Sequence, residues 1–261
     1  MCHFIKLSMF ILPLLSIFAS SSLFAMERAL KAIINSRVMR DAITIENCII
    51  DYNDWEIAQQ FSTMEKTELI KLFSPNTEKK EVAKPFLELV KHNKLLSIKA
   101  VVTSIDIDND LDVKFLINSA NGWNVLHYIV SNNQSDILTI MFNHKQTFDL
   151  LVTKRNNAGK SPLEMAAEKG FDSLFLNRNL LYSNSSQMKI DFKRPLNQSG
   201  QNALMILAEN DHDEILKGLL EDPIILRLAR KYCDINGNKL GEYLIHKPAL
   251  RELFERQLSK L

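Results

Sequence analysis

Short apolar segments alternate with polar turns over most of the chain, and the turns recur at nearly constant intervals. Four glycines, Gly122, Gly159, Gly200 and Gly237, follow one another at spacings of 37, 41 and 37 residues. A leucine stands four residues after each of the first three glycines, at the start of an apolar run with helical spacing. A polar turn and a second apolar run follow. The pattern predicts a pair of short helices in each repeat.

The turn between the two apolar runs also recurs. It is centred on Asn133, Gly170 and Asp211, three residue types that tolerate a positive backbone φ. Leu87 precedes Leu126 by 39 residues within a similar apolar run, so we expect an earlier, degenerate unit that lacks the glycine. These positions predict tight turns between paired helices.

The repeated segments resemble ankyrin repeats, whose unit of about 33 residues has a glycine-bearing turn and a Thr-Pro-Leu-His-like helix start. The best match is the segment 161–170, which lacks only the histidine, whereas His127 supplies that histidine in the preceding unit. The longer spacings are interpreted as lengthened loops, and Gly241 replaces a leucine in the last unit. The resemblance implies an all-α solenoid of ankyrin-type helix-turn-helix repeats.

The pattern divides the chain into four parts. Residues 84–254 hold about five repeats, of which the first and last are degenerate, with a long insertion or an extended second helix from Leu176 to Pro195. Residues 26–83 lack the repeat but contain amphipathic segments, and we expect them to form a helical N-terminal cap that covers the apolar side of the first repeat. Residues 1–25 read as a signal peptide, and residues 255–261 as a C-terminal tail.

The first 25 residues carry a single charged side chain, Lys6, followed by the mostly apolar run 7–18 and by small polar residues. This order is typical of an export signal, and Ala25 is one candidate for the last residue removed. The protein is therefore expected to be exported, as a secreted or periplasmic protein without a stable membrane span. An uncleaved anchor of a structural protein is the alternative, because the stretch 7–24 reaches the minimum length for a membrane span.

Charge and composition narrow the function classes. Without the first 25 residues the chain has 31 basic and 31 acidic side chains, which argues against binding to nucleic acid or to an anionic membrane surface. Seven glycines and seven prolines disfavour an all-β fold and a Gly-rich nucleotide-binding fold. Cys48 and Cys233 remain after removal of the signal, and the sequence leaves open whether they pair or are separate thiols.

Candidate catalytic and metal-binding motifs are incomplete. The segment 158–161 ends like a phosphate-binding loop, but Lys154 stands where that loop needs its earlier glycine. The acids of segment 106–112 have the spacing of a calcium loop without its turn glycine. His127 and His212 are interpreted as structural residues of the repeats. We therefore expect no cofactor, no metal and no enzymatic activity; the alternative is an enzyme with its active site in residues 27–110 and the repeats as a targeting module.

The resemblance implies a protein-protein interaction scaffold. In ankyrin proteins the partner is usually contacted by residues that flank the turn glycine and by exposed positions near the end of the first helix. The corresponding residues here are Asn121, Trp123, Ser131, Asn132, Ala158, Lys160, Glu168, Lys169, Ser199, Gln201, Glu209, Asn210, Asn236 and Asn238. Trp123 is the strongest single candidate, because aromatic residues dominate interface energetics, with packing on the adjacent turn as its alternative role.

The mixed polar character of these positions favours a protein partner over nucleic acid. We expect the protein to be monomeric. A bacterial effector is one class of protein that combines an export signal with such repeats.

Overall fold

The computed structural model describes residue 49 and residues 52–73, 84–118, 120–176, 192 and 194–261. The predicted signal peptide, residues 1–25, lies outside the described residues. So do the beginning of the predicted cap, residues 26–48, and most of the segment from Leu176 to Pro195, predicted as an insertion or an extended second helix.

The described residues fall into two compact units, one ending at Leu116 and the other beginning at Ile117. Both units consist of helices, and extended pairing in the described residues is limited to isolated bridges such as Ile117–Asn124. None of the helices in these described ranges is both long and apolar enough to cross a membrane. The all-α class expected from the sequence is confirmed.

The first unit contains five helices and one 3₁₀ turn in its described part. These are α1 (Asp54–Thr63), α2 (Lys66–Phe73), α3 (Pro85–Lys91), α4 (Leu95–Ser104), α5 (Ile107–Asp110) and the 3₁₀ turn Val113–Leu116. Helices α3 and α4 are the pair predicted as the degenerate repeat, and Asn93 forms the turn between them with a φ of 53°. Helix α1 packs on α4, and α2 contacts both α3 and α4.

A side chain from α1 holds the beginning of α4. The Asp54 carboxylate accepts hydrogen bonds from the backbone N–H groups of Leu96 (2.7 Å) and Ser97 (2.9 Å), and from the Ser97 hydroxyl (2.6 Å). The first turn of α4 has no acidic residue and no side-chain cap of its own, so Asp54 supplies the acceptor that helix starts require.

The second unit contains ten helices in its described part. They are α6 (Val125–Ser131), α7 (Ser135–Phe142), α8 (Lys145–Val152), α9 (Pro162–Lys169), α10 (Asp172–Phe175), α11 (Ala203–Glu209), α12 (Asp213–Leu220), α13 (Pro223–Lys231), α14 (Leu240–Tyr243) and α15 (Pro248–Leu258).

Four of these helix pairs are successive repeats, which we number 1 to 4. The first helices α6, α9, α11 and α14 pack on one another in that order, and the second helices α7, α10, α12 and α15 pack in the same order beside them. The first helices of repeats 1 to 3 are deeply buried: every residue from Ala203 to Ala208 in α11 is buried. Stacking therefore buries the apolar runs, as expected for a repeat array.

Two additional helices account for the two glycine spacings of 37 residues. Helix α8 follows α7 in repeat 1, and α13 follows α12 in repeat 3, so each of these repeats has three helices. The expectation of lengthened loops was wrong at both places. Helix α8 buries Phe148 and Leu151, and α13 buries Ile225 and Leu226 behind a Pro at its first position and an Asp222 cap. Apolar residues at helical spacing favour a helix over a solvated loop.

Candidate functional site

Each repeat of the second unit begins with a turn tip that contains the repeated glycine. We define tip 1 as residues 118 and 120–123, tip 2 as 155–160, tip 3 as 196–201 and tip 4 as 233–238. The glycines have φ between 71° and 81°, a conformation that other residues adopt only with strain. A backbone hydrogen bond closes each tip, such as Asp234 N–H to Asn238 O (2.9 Å) in tip 4.

An Asn or Asp at the start of each tip stabilises the turn. Asn156, Asn197 and Asp234 each stand three residues before the glycine, and Asn118 stands four residues before it. Their side-chain oxygens accept backbone N–H groups of the same tip, for instance Asn156 Oδ1 from Lys160 N–H (3.1 Å). These residues were not predicted from the sequence, although three of the four stand at the same distance from the glycine, which is a readable signal of an Asx turn.

The tips are joined in two pairs. The Asn157 N–H donates to Asn121 O (3.0 Å) between tips 1 and 2, and the Ile235 N–H donates to Ser199 O (3.2 Å) between tips 3 and 4. Between tips 2 and 3 a side chain takes this role: Arg155 donates to Leu196 O (2.7 Å).

Arg155 is a further residue that was not predicted from the sequence. Besides Leu196 O, it donates to Gly159 O and forms an ion pair with Glu164, whose side chain is 6% exposed (3.2 Å). Burial raises the pKa of Glu164, and the charge of Arg155 opposes that increase. Arg155 therefore partners a buried carboxylate while it links two tips.

Two histidines connect adjacent repeats, as predicted for His127. Its Nδ1 accepts the Asn124 N–H (3.0 Å), so Nε2 carries the proton and donates to Lys160 O (3.0 Å). Burial lowers the pKa of His127, although the bond to Lys160 O opposes this. Nε2 of His212 lies 2.8 Å from Glu168 O, and its ring lies against Gly170, where a Cβ would be 2.4 Å from Nδ1.

The candidate binding residues of repeats 1 and 2 are largely engaged within the protein. Trp123 stacks on His127 with ring centroids 5.8 Å apart and contacts Tyr128 at 5.0 Å. Lys160 forms an ion pair with Glu168, with 2.6 Å between Nζ and Oε2.

The remaining candidates of these two repeats lie closer to solvent or at the turns. Lys169 Nζ donates to Ser131 O (3.2 Å), and the side chain of Asn121 accepts the Trp123 N–H (2.9 Å). Asn132 and Ala158 are exposed. The ring contacts of Trp123 are with His127 and Tyr128 of α6, the helix of its own repeat, whereas its predicted alternative role was packing on the adjacent turn.

The candidates of repeats 3 and 4 are arranged differently, because most of them line one cleft. It has a volume of about 410 Å³ and lies between tips 3 and 4 and the helices that follow them. Its lining includes five predicted residues, Ser199, Gln201, Glu209, Asn236 and Asn238, and three that the sequence analysis missed, Asp234, Glu242 and Tyr243. Asn210 lies outside this lining and donates to Ile206 O (2.8 Å). We call this site the tip 3–4 cleft.

A hydrogen-bond network forms the floor of the cleft. The buried amide of Gln201 donates to Glu209 Oε2 (2.8 Å) and to the hydroxyl oxygen of Tyr243 (3.1 Å). The Tyr243 hydroxyl in turn donates to Asp234 Oδ2 (2.8 Å), which also accepts the side-chain amide of Asn238 (3.1 Å). Each of these side chains is fixed by the next, so the lining is preorganised.

The charge states of two lining residues follow from this network. Desolvation and the hydrogen bond to Asp234 raise the pKa of Tyr243 to about 12. Desolvation also acts to raise the pKa of Asp234, but the hydrogen bonds from Tyr243, Asn238 and Asn236 outweigh it and hold that pKa below its ordinary value. At neutral pH Tyr243 is thus a neutral donor and Asp234 an anion, and neither is poised to exchange protons.

The incomplete motifs of the sequence analysis have structural roles here. Ser161 caps α9 and Lys160 pairs with Glu168, so the segment resembling a phosphate loop is a repeat turn. In the first unit, Asp106 caps α5, and Asp110 forms an ion pair with Lys66 (2.9 Å). Cys233 is a free, exposed cysteine, and Cys48 lies outside the described residues.

No protein-family model and no curated protein matches the chain. Among solved structures, the crystal structure of EF0377, an ankyrin repeat protein, is similar to this chain with 19% sequence identity and a TM-score of 0.46. The match covers 88% of this chain and 96% of that chain.

The stacked helix pairs, the positive-φ glycines of the tips and the histidine bonds between repeats are features of this structure itself. Together they define the second unit as an array of ankyrin-type repeats, the fold that the sequence predicted.

Proposed function

We propose that the protein is a non-enzymatic scaffold that binds another protein through its turn tips, centred on the tip 3–4 cleft. The observation that carries this proposal is the convergence of Ser199, Gln201, Glu209, Asn236 and Asn238 on one concave site. These residues come from two repeats and were selected from sequence only by their position relative to the tip glycines. A preorganised polar cleft suits recognition, because its groups lose little freedom on binding.

Tips 3 and 4 are favoured over tips 1 and 2 because of what their side chains contact. A partner that used Trp123 or Lys160 would compete with the internal stacking on His127 or with the ion pair to Glu168. Asn236 is exposed at the edge of the tip 3–4 cleft, and Ile235 beside it is 70% exposed. An apolar side chain next to a polar cleft is a common composition of protein interfaces.

The first unit supports a cap more than a separate catalytic domain. Helices α1 and α2 pack on the helix pair α3 and α4, and Asp54 serves as the cap of α4. This arrangement fits the proposed cap within residues 26–83 and gives the alternative enzyme in residues 27–110 no additional support. Repeat arrays need such terminal elements because their outer faces are apolar.

Site-specific photocrosslinking tests the proposed surface. We would place a photoreactive phenylalanine analogue at Asn236 of the full chain and, as a control, at the exposed Glu252 of α15. The expected result is a defined protein adduct from position 236 in extracts of the source organism and none from position 252. Equal adducts from both positions, or adducts from 252 alone, would refute the tip surface as the binding site.

Export is part of the proposal and is tested separately. Mass spectrometry of the N-terminus of the exported chain is expected to show a start near residue 26. An N-terminus that retains the run 7–18 would instead favour the uncleaved anchor.

A further inference from the structure

The tip 3–4 cleft differs in charge from the corresponding place in the preceding repeat. In repeat 2, the residues one and nine positions after the tip glycine are Lys160 and Glu168. In repeat 3, the same two positions hold Gln201 and Glu209. The carboxylate is thus retained between the repeats, while the lysine is replaced by a neutral amide.

The contacts show what this replacement changes. Lys160 Nζ lies 2.7 Å and 2.6 Å from the two carboxylate oxygens of Glu168, so its charge is shared by both oxygens. The side-chain amide of Gln201 donates one hydrogen bond to Glu209 Oε2 and another to the hydroxyl oxygen of Tyr243. Repeat 2 therefore shows an ammonium group seated on a carboxylate, and repeat 3 presents the equivalent carboxylate without one.

The surroundings of Glu209 add further negative charge. Asp234 and Glu242 also line the cleft, and none of its eight lining residues, all within the described part of the chain, is a lysine, arginine or histidine. Carboxylates in a concave site reinforce one another's potential. Since Asp234 is already saturated by hydrogen bonds from tip 4 and from Tyr243, Glu209 and Glu242 are the carboxylates at which a ligand would bind.

We infer that the cleft accepts the ammonium or guanidinium group of a lysine or arginine side chain of the partner protein, in the role that Lys160 has in repeat 2. The inference rests on the proposed function and specifies the chemistry of its partner. Ile235, on the same tip, provides an apolar contact for the residue next to that basic side chain. The partner segment is thus one that combines a basic residue with an apolar neighbour.

Three matched peptides test this chemistry. They are acetyl-Gly-Leu-Xaa-Leu-Gly-amide with arginine, glutamine or glutamate at the central position, titrated into the full chain while the side-chain amide signals of Gln201 and Asn238 are followed by NMR. We expect saturable shifts with the arginine peptide and none with the other two. Equal responses to the arginine and glutamine peptides would overturn the inference.

Two variants assign the effect to the cleft. Gln201→Lys places an ammonium group of the protein itself in the cleft, and Glu209→Gln removes the carboxylate charge while keeping the shape of the side chain. Each variant is expected to weaken arginine-peptide binding by about fivefold or more. Asn143→Lys, at an exposed site of repeat 1, adds the same charge as Gln201→Lys and is expected to leave the affinity unchanged. Unchanged affinity in both cleft variants would refute the inference.

The outcomes separate this inference from the proposed function. If the peptides show no preference for arginine while position 236 still crosslinks to a protein, the inference fails and the scaffold proposal stands. If position 236 yields no adduct, the scaffold proposal fails. A saturable response of the same signals to calcium chloride, without a response to the arginine peptide, would assign the cleft to a metal ion and overturn the inference.

Discussion

Tips 1 and 2 and tips 3 and 4 have the same backbone design, but their side chains serve different ends. In the first pair, Trp123 stacks on His127, and Lys160 neutralises Glu168. In the second pair, the corresponding carboxylate of Glu209 faces a cleft with Asp234 and Glu242. Repetition thus fixes where a side chain stands, while the identity of its neighbours determines whether that side chain is free to bind.

The largest expected effect concerns the glycines that lie against the next tip. At Gly200 a Cβ would lie 2.9 Å from the backbone N of Ile235, whereas nothing lies within 4 Å of a Cβ at Gly237, although both residues have positive φ. Gly200→Ala is therefore expected to lower the free energy of unfolding by about 2–4 kcal/mol, and Gly237→Ala by about 1 kcal/mol.

The same contrast holds in the first pair, where Gly122 is the crowded glycine and Gly159 the open one. Urea unfolding of all four alanine variants measures the difference. Equal losses for the crowded and open members of each pair would show that backbone strain alone, and not the contact between tips, explains the cost.

The next largest effect concerns Arg155, which links tips 1 and 2 to tips 3 and 4. Arg155→Met removes the bond to Leu196 O and leaves the buried Glu164 carboxylate without its cation, so we expect a loss of about 2–3 kcal/mol in the free energy of unfolding. Adding Glu164→Gln should recover part of this loss, because the unpaired charge is removed. A double variant as unstable as the single one would indicate that the bonds from Arg155 to Leu196 O and Gly159 O carry the whole effect.

The sequence predicted the repeat more completely than the site. The glycine spacing and the apolar runs fixed the helix pairs, because those positions are buried in every repeat and their chemistry is therefore constrained. The sequence predicts lengthened loops where helices α8 and α13 form, because a third helix does not fit the length of the ankyrin-like unit. Gly and Asx positions are readable from one repeat, but contacts between repeats are not.

The site shows the same limit. Gln201 and Glu209 were found from their position relative to Gly200, whereas Asp234 and Tyr243 were missed because they join the cleft only when repeat 4 stacks on repeat 3. Trp123 was ranked first for its aromatic character, yet its ring is stacked on His127. Whether a polar side chain has a hydrogen-bond partner within the protein depends on residues about one repeat away in the sequence.

A smaller effect is the pH dependence of stability, which should differ between tips 1 and 2 and tips 3 and 4. The folded-state pKa of His127 lies below its ordinary value of 6.5, so the stability it confers is present above that value and is lost as pH falls toward its folded-state pKa. Asp234 also has a lowered pKa, so its contribution is present above 3.8 and is lost as pH falls further through its folded-state value. As the pH falls, tips 1 and 2 should therefore lose stability at a higher pH than tips 3 and 4.

Hydrogen exchange reports both events at single amides. The Asn124 N–H donates to His127 Nδ1, and the Asn238 N–H donates to Asp234 Oδ1. On acidification the protection factor of Asn124 should fall first, by about tenfold, and that of Asn238 only below pH 3.8, because the pKa of Asp234 in the folded state is lowered from that value. In His127→Gln the early loss should disappear; its persistence would mean that another group causes it.

The smallest expected effect concerns the ion pair that distinguishes repeat 2 from repeat 3. Lys160 and Glu168 are both partly exposed, so Lys160→Gln should cost only about 0.5 kcal/mol in the free energy of unfolding, and less as salt concentration rises. A double-mutant cycle with Glu168→Gln isolates the pair in urea unfolding experiments. A coupling free energy between Lys160 and Glu168 that does not weaken with salt would show that Lys160 acts through packing rather than charge. The electrostatic comparison between Glu168 and Glu209 would then have no basis.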